Sequence, residues 1–142
     1  MKIVVIDGQG GRLGKLLIEA LRDQKVCGEI IAVGTNSIAT AAMVKAGADA
    51  GATGEHPVEV CVRDADFILG PIGILAADSL LGEVTDKMAV AIGRSPAQKI
   101  LVPLNRCRNT VVGLRELTMS ELVAEAVDLV LTSCKNGKNM LP

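Results

Sequence analysis

The sequence contains almost no aromatic side chains. Among its 142 residues there is no Trp and no Tyr, and Phe67 is the single Phe. A chain without aromatic rings cannot stack nucleic-acid bases or build an aromatic cage around a cation. This absence excludes the aromatic RNA-binding modules, and it requires a core made of aliphatic residues.

An excess of charge of one sign is also missing. The formal net charge is -1, which provides no electrostatic basis for binding a polyanion, so we expect no nucleic-acid partner. Long hydrophobic runs are absent as well, since none approaches the roughly 18 to 20 residues of a membrane span. The apolar residues 3–6 are too few for a secretory signal. The sequence therefore predicts a cytoplasmic protein with no membrane partner.

Residue types that bind metals are sparse and scattered. His56 is the single histidine, and no C-x-x-C pair occurs among the four cysteines, Cys27, Cys61, Cys107 and Cys134. Zinc sites and disulfide frameworks place such residues at short, regular spacings. We therefore expect no metal site, and thiols that stay reduced and fill apolar space.

The sequence does contain an alternation of short β-branched segments and longer amphipathic segments, which is typical of βαβ units. Strands are predicted at residues 2–6, 29–33, 48–53, 66–70 and 100–104. Helices are predicted at residues 12–24, 37–47 and 57–63, within residues 74–92 with a break near Gly82, and from Thr118 onward. The pattern predicts an α/β, Rossmann-like three-layer sandwich whose mostly parallel sheet has the strand order 3-2-1-4-5. Residues 110–114 are a candidate sixth strand, antiparallel because the preceding link is too short for a crossover helix.

No linker or repeat divides the chain, whose length is that of one ordinary domain. We predict a single Rossmann-like domain over residues 1–134 and a C-terminal tail over residues 135–142. Hydrophobic residues make up 49% of the sequence. In so small a domain surplus apolar surface is usually covered, which favours a homo-oligomer, most simply a dimer.

A glycine-rich turn follows the first predicted strand. Residues 7–15 read DGQGGRLGK, a G-x-x-G-x-x-G pattern. Glycine permits a tight turn, and the N-terminus of the next helix offers N–H groups to an anion. The segment resembles the phosphate-binding turn of Rossmann dinucleotide proteins, especially the extended short-chain dehydrogenases. The alternative is that the glycines only allow close packing. The predicted binding residues here are Gly8, Gln9, Gly10, Gly11, Arg12 and Gly14.

Polar residues and glycines also follow other predicted strands. The second strand ends in Thr35, Asn36 and Ser37, where a dinucleotide-binding protein normally has an acid for the ribose. Their hydroxyl and amide groups would instead bind a 2′-phosphate. The alternative is that Asn36 and Ser37 merely cap the second helix. Because the carboxyl ends of parallel strands meet at one edge, these groups are expected to share a crevice with those of the later strands. The remaining predicted binding residues are Gly70, Pro71, Gly73, Asn105 and Arg106.

A catalytic set cannot be assembled. Asp7 is a candidate base, ribose ligand or metal ligand, and the alternative is an acceptor for backbone N–H groups of its own turn. Cys107 lies between Arg106 and Arg108, which favours a thiolate, but no histidine is near it in sequence. The sequence predicts binding of a small phosphorylated ligand, a nucleotide or NAD(P), with the reaction open. The alternative is a non-catalytic interaction or regulatory module that keeps the fold without a cofactor.

Five segments resemble those of a family of small bacterial proteins, found mainly in anaerobic Firmicutes, whose shared domain has no known function. They are IDGQGG at residues 6–11, GTNSIATA at 34–41, AGAD at 46–49, ATGE at 52–55 and GPIG at 70–73. The resemblance extends from Met1 to about Val130. It implies a Rossmann-like domain and no particular activity. Arg12 departs from the family pattern, which has a smaller residue there.

Overall fold

Strands and helices alternate along the chain in a computed structural model that describes residues 1–104 and 108–137. The strands are β1 (Lys2–Asp7), β2 (Glu29–Gly34), β3 (Ala50–Thr53), β4 (Phe67–Pro71) and β5 (Gln98–Val102). The α-helices are α1 (Arg12–Asp23), α2 (Ser37–Lys45), α3 (Glu55–Cys61), α4 (Asp86–Arg94) and α5 (Met119–Lys135), and a short 3-10 helix spans Ile72–Leu75. Among the described helices, none is long and apolar enough to cross a membrane.

The sheet has the order β3-β2-β1-β4-β5, and all its neighbouring strands are parallel. This confirms the predicted α/β Rossmann-like fold. Strands are added on one side of β1 as far as β3 and on its other side from β4 onward, so the strand order reverses between β1 and β4. Such folds open a crevice at this position, at the carboxyl ends of the strands.

The candidate sixth strand does not form. Residues 110–114 have irregular backbone. Gly113 has a φ of 84°, which interrupts an extended segment, and Val112 is 93% exposed. A strand at the sheet edge would have buried one of its faces, and this segment has no such face.

Alternate residues of the central strand face two separate aliphatic cores. Ile3 and Val5 pack with residues of α1 and α5 on one face, and Val4 and Ile6 pack with residues of α3 and α4 on the other. Because both faces are covered, β1 is a continuous apolar run instead of an alternating one. Asp7, the last residue of β1, is the exception, and it is 3% exposed.

Local sequence signals explain where most helices begin. Thr85 caps α4 by accepting the N–H of Met88 at 3.2 Å, and Thr118 forms a capping box with Glu121 at the start of α5. The cap of α2 is Asn36, whose side chain accepts the N–H of Ala39. Of the two residues predicted to cap α2, Asn36 is the cap, and Ser37 is instead the first residue of the helix.

Within residues 74–92, the predicted break near Gly82 is present and α4 follows it, but no α-helix forms before the break. Residues 76–84 are instead a series of turns. Positive φ angles occur at Asp78, Leu80, Leu81 and Gly82. Such left-handed backbone is incompatible with an α-helix. These turns pass over the carboxyl end of the sheet, and residues 76–85 are called the 76–85 segment below.

Candidate functional site

The carboxylate of Asp7 lies beneath the glycine-rich turn. Its Oδ1 accepts the N–H of Gly8 at 2.8 Å, and its Oδ2 accepts the N–H of Gly14 at 2.7 Å. Gly14 lies in the first turn of α1, where N–H groups have no partner within the helix. Of the alternative roles considered for Asp7, the structure shows the one in which its carboxylate accepts N–H groups of its own turn. The strand that enters the turn thus supplies an internal anion to the start of the helix.

Opposing influences act on this carboxyl. Burial raises the pKa of Asp7 above its ordinary value of 3.8, the N–H bonds from Gly14 and Gly8 lower it, and the charge of Glu83 raises it. Burial disfavours the charged form, while hydrogen bonds to that form favour it. The net pKa shift is upward, so the turn holds a carboxyl group that binds its proton more tightly than an exposed Asp does.

The glycines of the turn have different structural roles. A Cβ on Gly11 would lie 2.7 Å from the backbone Cα of Ala39, and Gly11 has a φ of 70°. A Cβ on Gly14 would collide with the sulfur of Met43. These two positions therefore have the packing role that was the alternative to ligand binding. A Cβ on Gly10 would meet nothing within 4 Å, so this side of the turn faces open space.

A carboxylate from a distant part of the chain occupies the crevice. Oε2 of Glu83 accepts the backbone N–H of Gln9 at 2.6 Å and the hydroxyl of Thr35 at 2.9 Å. Oε1 of Glu83 accepts the side-chain amide of Asn36 at 2.9 Å. Three of the predicted site residues, one after β1 and two after β2, therefore come together around one anionic group. None of these donors carries a formal charge.

Gly8 allows this arrangement. A Cβ at this position would lie 2.5 Å from Oε2 of Glu83, 2.5 Å from the hydroxyl of Thr35 and 2.8 Å from a methyl group of Leu80. A larger residue would therefore push the carboxylate away from the strand ends. Leu80 is 3% exposed, so its side chain covers the turn beside Glu83.

The backbone of the 76–85 segment is strained. Asp78, Leu80 and Leu81 are non-glycine residues with φ of 65°, 54° and 57°, and each left-handed residue costs roughly 1 to 2 kcal/mol. Hydrogen bonds hold the turns in place: the hydroxyl of Ser79 donates to the carbonyl of Gly73, and the N–H of Asp78 donates to the carbonyl of Val84 at 2.7 Å. Leu81 at the tip is 98% exposed.

The predicted residues at the end of β4 contribute through their backbone. A Cβ on Gly70 would collide with the carbonyl oxygen of Ile6, so Gly70 permits the close approach of β4 to β1. Pro71 is buried and pairs with Val102 of β5. Gly73 provides the carbonyl that anchors Ser79. These residues shape the floor of the crevice and the base of the 76–85 segment.

Other predicted residues lie at the margin of the crevice or outside the described part of the chain. Arg12 and Ser37 are the exposed first residues of α1 and α2. Arg108 is exposed. Asn105, Arg106 and Cys107 lie outside the described residues. The predictions for these three stay predictions.

The central residue of this site, Glu83, was not identified from the sequence. It lies 74 residues from Gln9 and 48 residues from Thr35. Its carboxylate lies in space beside the end of β2. At that end the sequence has Thr and Asn, where a dinucleotide-binding protein has an acid. A local signal exists only in Gly82, which breaks the apolar run before Glu83 and indicates a turn.

Two further observations concern other parts of the described chain. No group of three or more His, Cys, Asp or Glu residues suited to a metal ion occurs within residues 1–104 and 108–137. A cavity of about 740 Å³ lies at the opposite, amino edge of the sheet, where its lining includes Met1, Cys27, Phe67 and Cys134. Its described lining contains none of the residues predicted from the sequence to bind a ligand.

Family membership follows from comparison with known proteins. The family described as Domain of unknown function (DUF3842) matches residues 2–135. The chain belongs to this family. The match agrees with the resemblance of the five segments to a domain of unknown function, and it brings no activity with it. No curated protein matches the sequence significantly.

A solved structure resembles the chain at low identity. It is the dodecameric FMN-dependent UbiX-like decarboxylase from Escherichia coli O157:H7, which is 17% identical over 95% of each chain with a TM-score of 0.43. At this identity and TM-score, the likeness has no bearing on the ligand, activity or assembly of DUF3842 chains.

Proposed function

We propose that this protein binds a small phosphorylated ligand, a nucleotide or NAD(P), in the crevice at the carboxyl ends of the strands, with its phosphate beside the turns that follow β1 and β2. One observation carries the proposal: donors from two strand ends, those of Gln9, Thr35 and Asn36, converge on a single carboxylate. A phosphate oxygen accepts the same kinds of hydrogen bond as a carboxylate oxygen. The crevice is therefore built to hold an anionic group.

The surroundings of this group support the proposal. Because a side chain at Gly10 would meet nothing within 4 Å, the turn offers exposed backbone and space to a ligand larger than a carboxylate. Arg12 is exposed at the start of α1, where its long side chain places a cation near a phosphate held at Gln9. With one Phe in the sequence, an adenine ring would pack against aliphatic groups and backbone.

Asp7 has a different role in this proposal. Its carboxylate already accepts the N–H groups of Gly8 and Gly14. A phosphate placed at the first turn of α1 would face this negative charge. The proposed phosphate position is therefore at Gln9, Thr35 and Asn36, beside the helix start. Asn105 and Arg106, which follow β5 in the sequence, are proposed as further residues that bind the ligand.

A thermal-shift panel tests the proposed function. NAD, NADP, ADP, ATP, AMP and S-adenosylmethionine are each added at millimolar concentration, and a bound ligand raises the melting temperature by mass action. Gly10→Leu is expected to abolish the increase and to leave the far-UV circular dichroism intact, because its side chain enters open space. Thr35→Val is expected to reduce the increase in melting temperature. Thr132→Val on α5 is the matched control and is expected to keep the full increase in melting temperature.

A clear negative result contradicts the proposal. If no nucleotide stabilises the wild-type protein, and none stabilises a Glu83→Gln variant in which the donors of the crevice are released, the alternative of a non-catalytic interaction module is favoured. If Gly10→Leu unfolds the protein, the turn has a packing role at this position too.

We also expect a homo-oligomer, most simply a dimer. Large apolar side chains such as Leu81, Val112 and Ile38 are 98%, 93% and 70% exposed, and such surface is usually covered. Light scattering measures the assembly directly. A mass of 14.7 kDa, that of one chain, would contradict the expectation.

A further inference from the structure

We propose that the 76–85 segment is an internal lid whose Glu83 carboxylate occupies the anion position of the crevice, so that a ligand binds only after displacing it. The inference rests on the proposed function and adds its regulation. It makes the described conformation the closed, self-inhibited state of the site.

The hydrogen bonds of Glu83 show why the carboxylate and a ligand phosphate exclude each other. Oε2 accepts from Gln9 and Thr35, and Oε1 accepts from Asn36, at 2.6 to 2.9 Å. Both oxygens of Glu83 are thus engaged by the donors that a phosphate would need. Two anions at one set of neutral donors also repel each other at short distance. One of them has to leave.

The construction of the segment suits displacement. Its N-terminal end follows the short helix Ile72–Leu75, and its C-terminal end is Thr85, the cap of α4. Between these anchors, Leu80 and Leu81 are held in left-handed backbone. Strained backbone persists only where surrounding contacts maintain it. Loss of the Glu83 contacts would therefore remove one of the constraints that maintain the strain, while both ends stay fixed.

The side chains of the segment act together with Glu83. Leu80 is 3% exposed and would contact a Cβ on Gly8, whereas Leu81 at the tip is 98% exposed. Closure therefore covers the glycine-rich turn with one leucine and leaves the other in solvent. Opening would uncover the N–H of Gln9 and the space above Gly8 at the same time. These are features that the proposed ligand would use.

Asp7 provides a reporter of closure that needs no ligand. The Glu83 charge is one of the influences that raise the pKa of the Asp7 carboxyl. Glu83→Gln removes that charge, so the pKa of Asp7 is expected to fall in the ligand-free protein, as measured by carbon-detected NMR titration. Glu29→Gln is the matched control, because Glu29 begins β2 at the opposite edge of the sheet. An unchanged Asp7 pKa in Glu83→Gln would overturn the closed arrangement.

Ligand binding provides the decisive measurement. With ADP as the probe in isothermal titration calorimetry, Glu83→Gln is expected to bind about tenfold or more tightly than the wild type, since a Gln amide cannot accept from all three donors at once. Glu29→Gln is expected to bind as the wild type does. Inorganic phosphate is titrated in parallel. It shows whether an anion without a nucleoside also binds more tightly to Glu83→Gln than to the wild type.

The outcomes separate the lid from the proposed function. Tighter binding of ADP by Glu83→Gln supports the lid. Equal binding by the wild type and Glu83→Gln overturns the lid and leaves the nucleotide site standing. If neither protein binds any nucleotide of the panel, both the proposed function and the lid are overturned. Circular dichroism and the melting temperature of Glu83→Gln establish that the compared proteins are folded.

Discussion

Gly11→Ala is expected to lower the free energy of unfolding by about 2 to 5 kcal/mol. Two separate costs combine at this position. Gly11 has a φ of 70°, and a residue with a Cβ costs roughly 1 to 2 kcal/mol in left-handed backbone. Its Cβ would also lie 2.7 Å from the Cα of Ala39, and forced packing of this kind costs about 1 to 3 kcal/mol.

The neighbouring Gly10→Ala variant is the control. Its Cβ would meet nothing within 4 Å, so its free energy of unfolding is expected to stay within about 0.5 kcal/mol of the wild-type value. Urea denaturation followed by far-UV circular dichroism measures both variants, because without Trp or Tyr intrinsic fluorescence gives little signal. Equal stability of the two variants would show that α1 and α2 do not approach as closely as described.

Three further predictions concern caps and carboxyl groups. Thr85→Ala removes the acceptor for the N–H of Met88 and is expected to cost about 1 kcal/mol in urea denaturation, with recovery in Thr85→Ser. The pKa of Asp7 is raised in the folded protein, so its contribution to stability is fully present below pH 3.8 and is lost as the pH rises through the folded pKa. Comparison of pH-dependent unfolding between the wild type and Asp7→Asn tests this, and identical pH slopes would contradict it. Arg22 forms an ion pair with Asp49 at 2.8 Å. The N–H of Ile30 and then Arg22 lower the pKa of Asp49, so Arg22→Ala is expected to raise that pKa part of the way to 3.8 in an NMR titration, and an unchanged value would contradict the ion pair.

The fold was predictable because its signals are local. The apolar run of β1, the capping box at Thr118 and the cap at Thr85 each lie within a few residues of the element they define. Strand order follows from the alternation of strands and helices, because parallel strands joined by right-handed crossovers permit few arrangements. The turns of the 76–85 segment were not predictable, since non-glycine residues in left-handed backbone are held there by tertiary contacts.

The candidate site was predictable in part. The side chain of Asn36 was given two alternative roles, helix cap or ligand-binding group. In the structure its Oδ1 accepts the N–H of Ala39, while its Nδ2 donates to Glu83 and to the carbonyl of Gln9. The amide has an acceptor end and a donor end, so capping leaves the donor available to the crevice. Glu83 was missed because it reaches these residues only through the path of the backbone over the sheet.

The central position of β1 has a consequence for the order of folding. β1 emerges before its neighbours during synthesis, yet it pairs with both β2 and β4. Its contact with β4 joins Ile3 to Phe67, and contacts between distant residues form slowly. The strand that ends in Asp7 therefore keeps one unpaired edge until β4 has been synthesised. A nascent chain that stops short of Pro71 has the glycine-rich turn but no crevice.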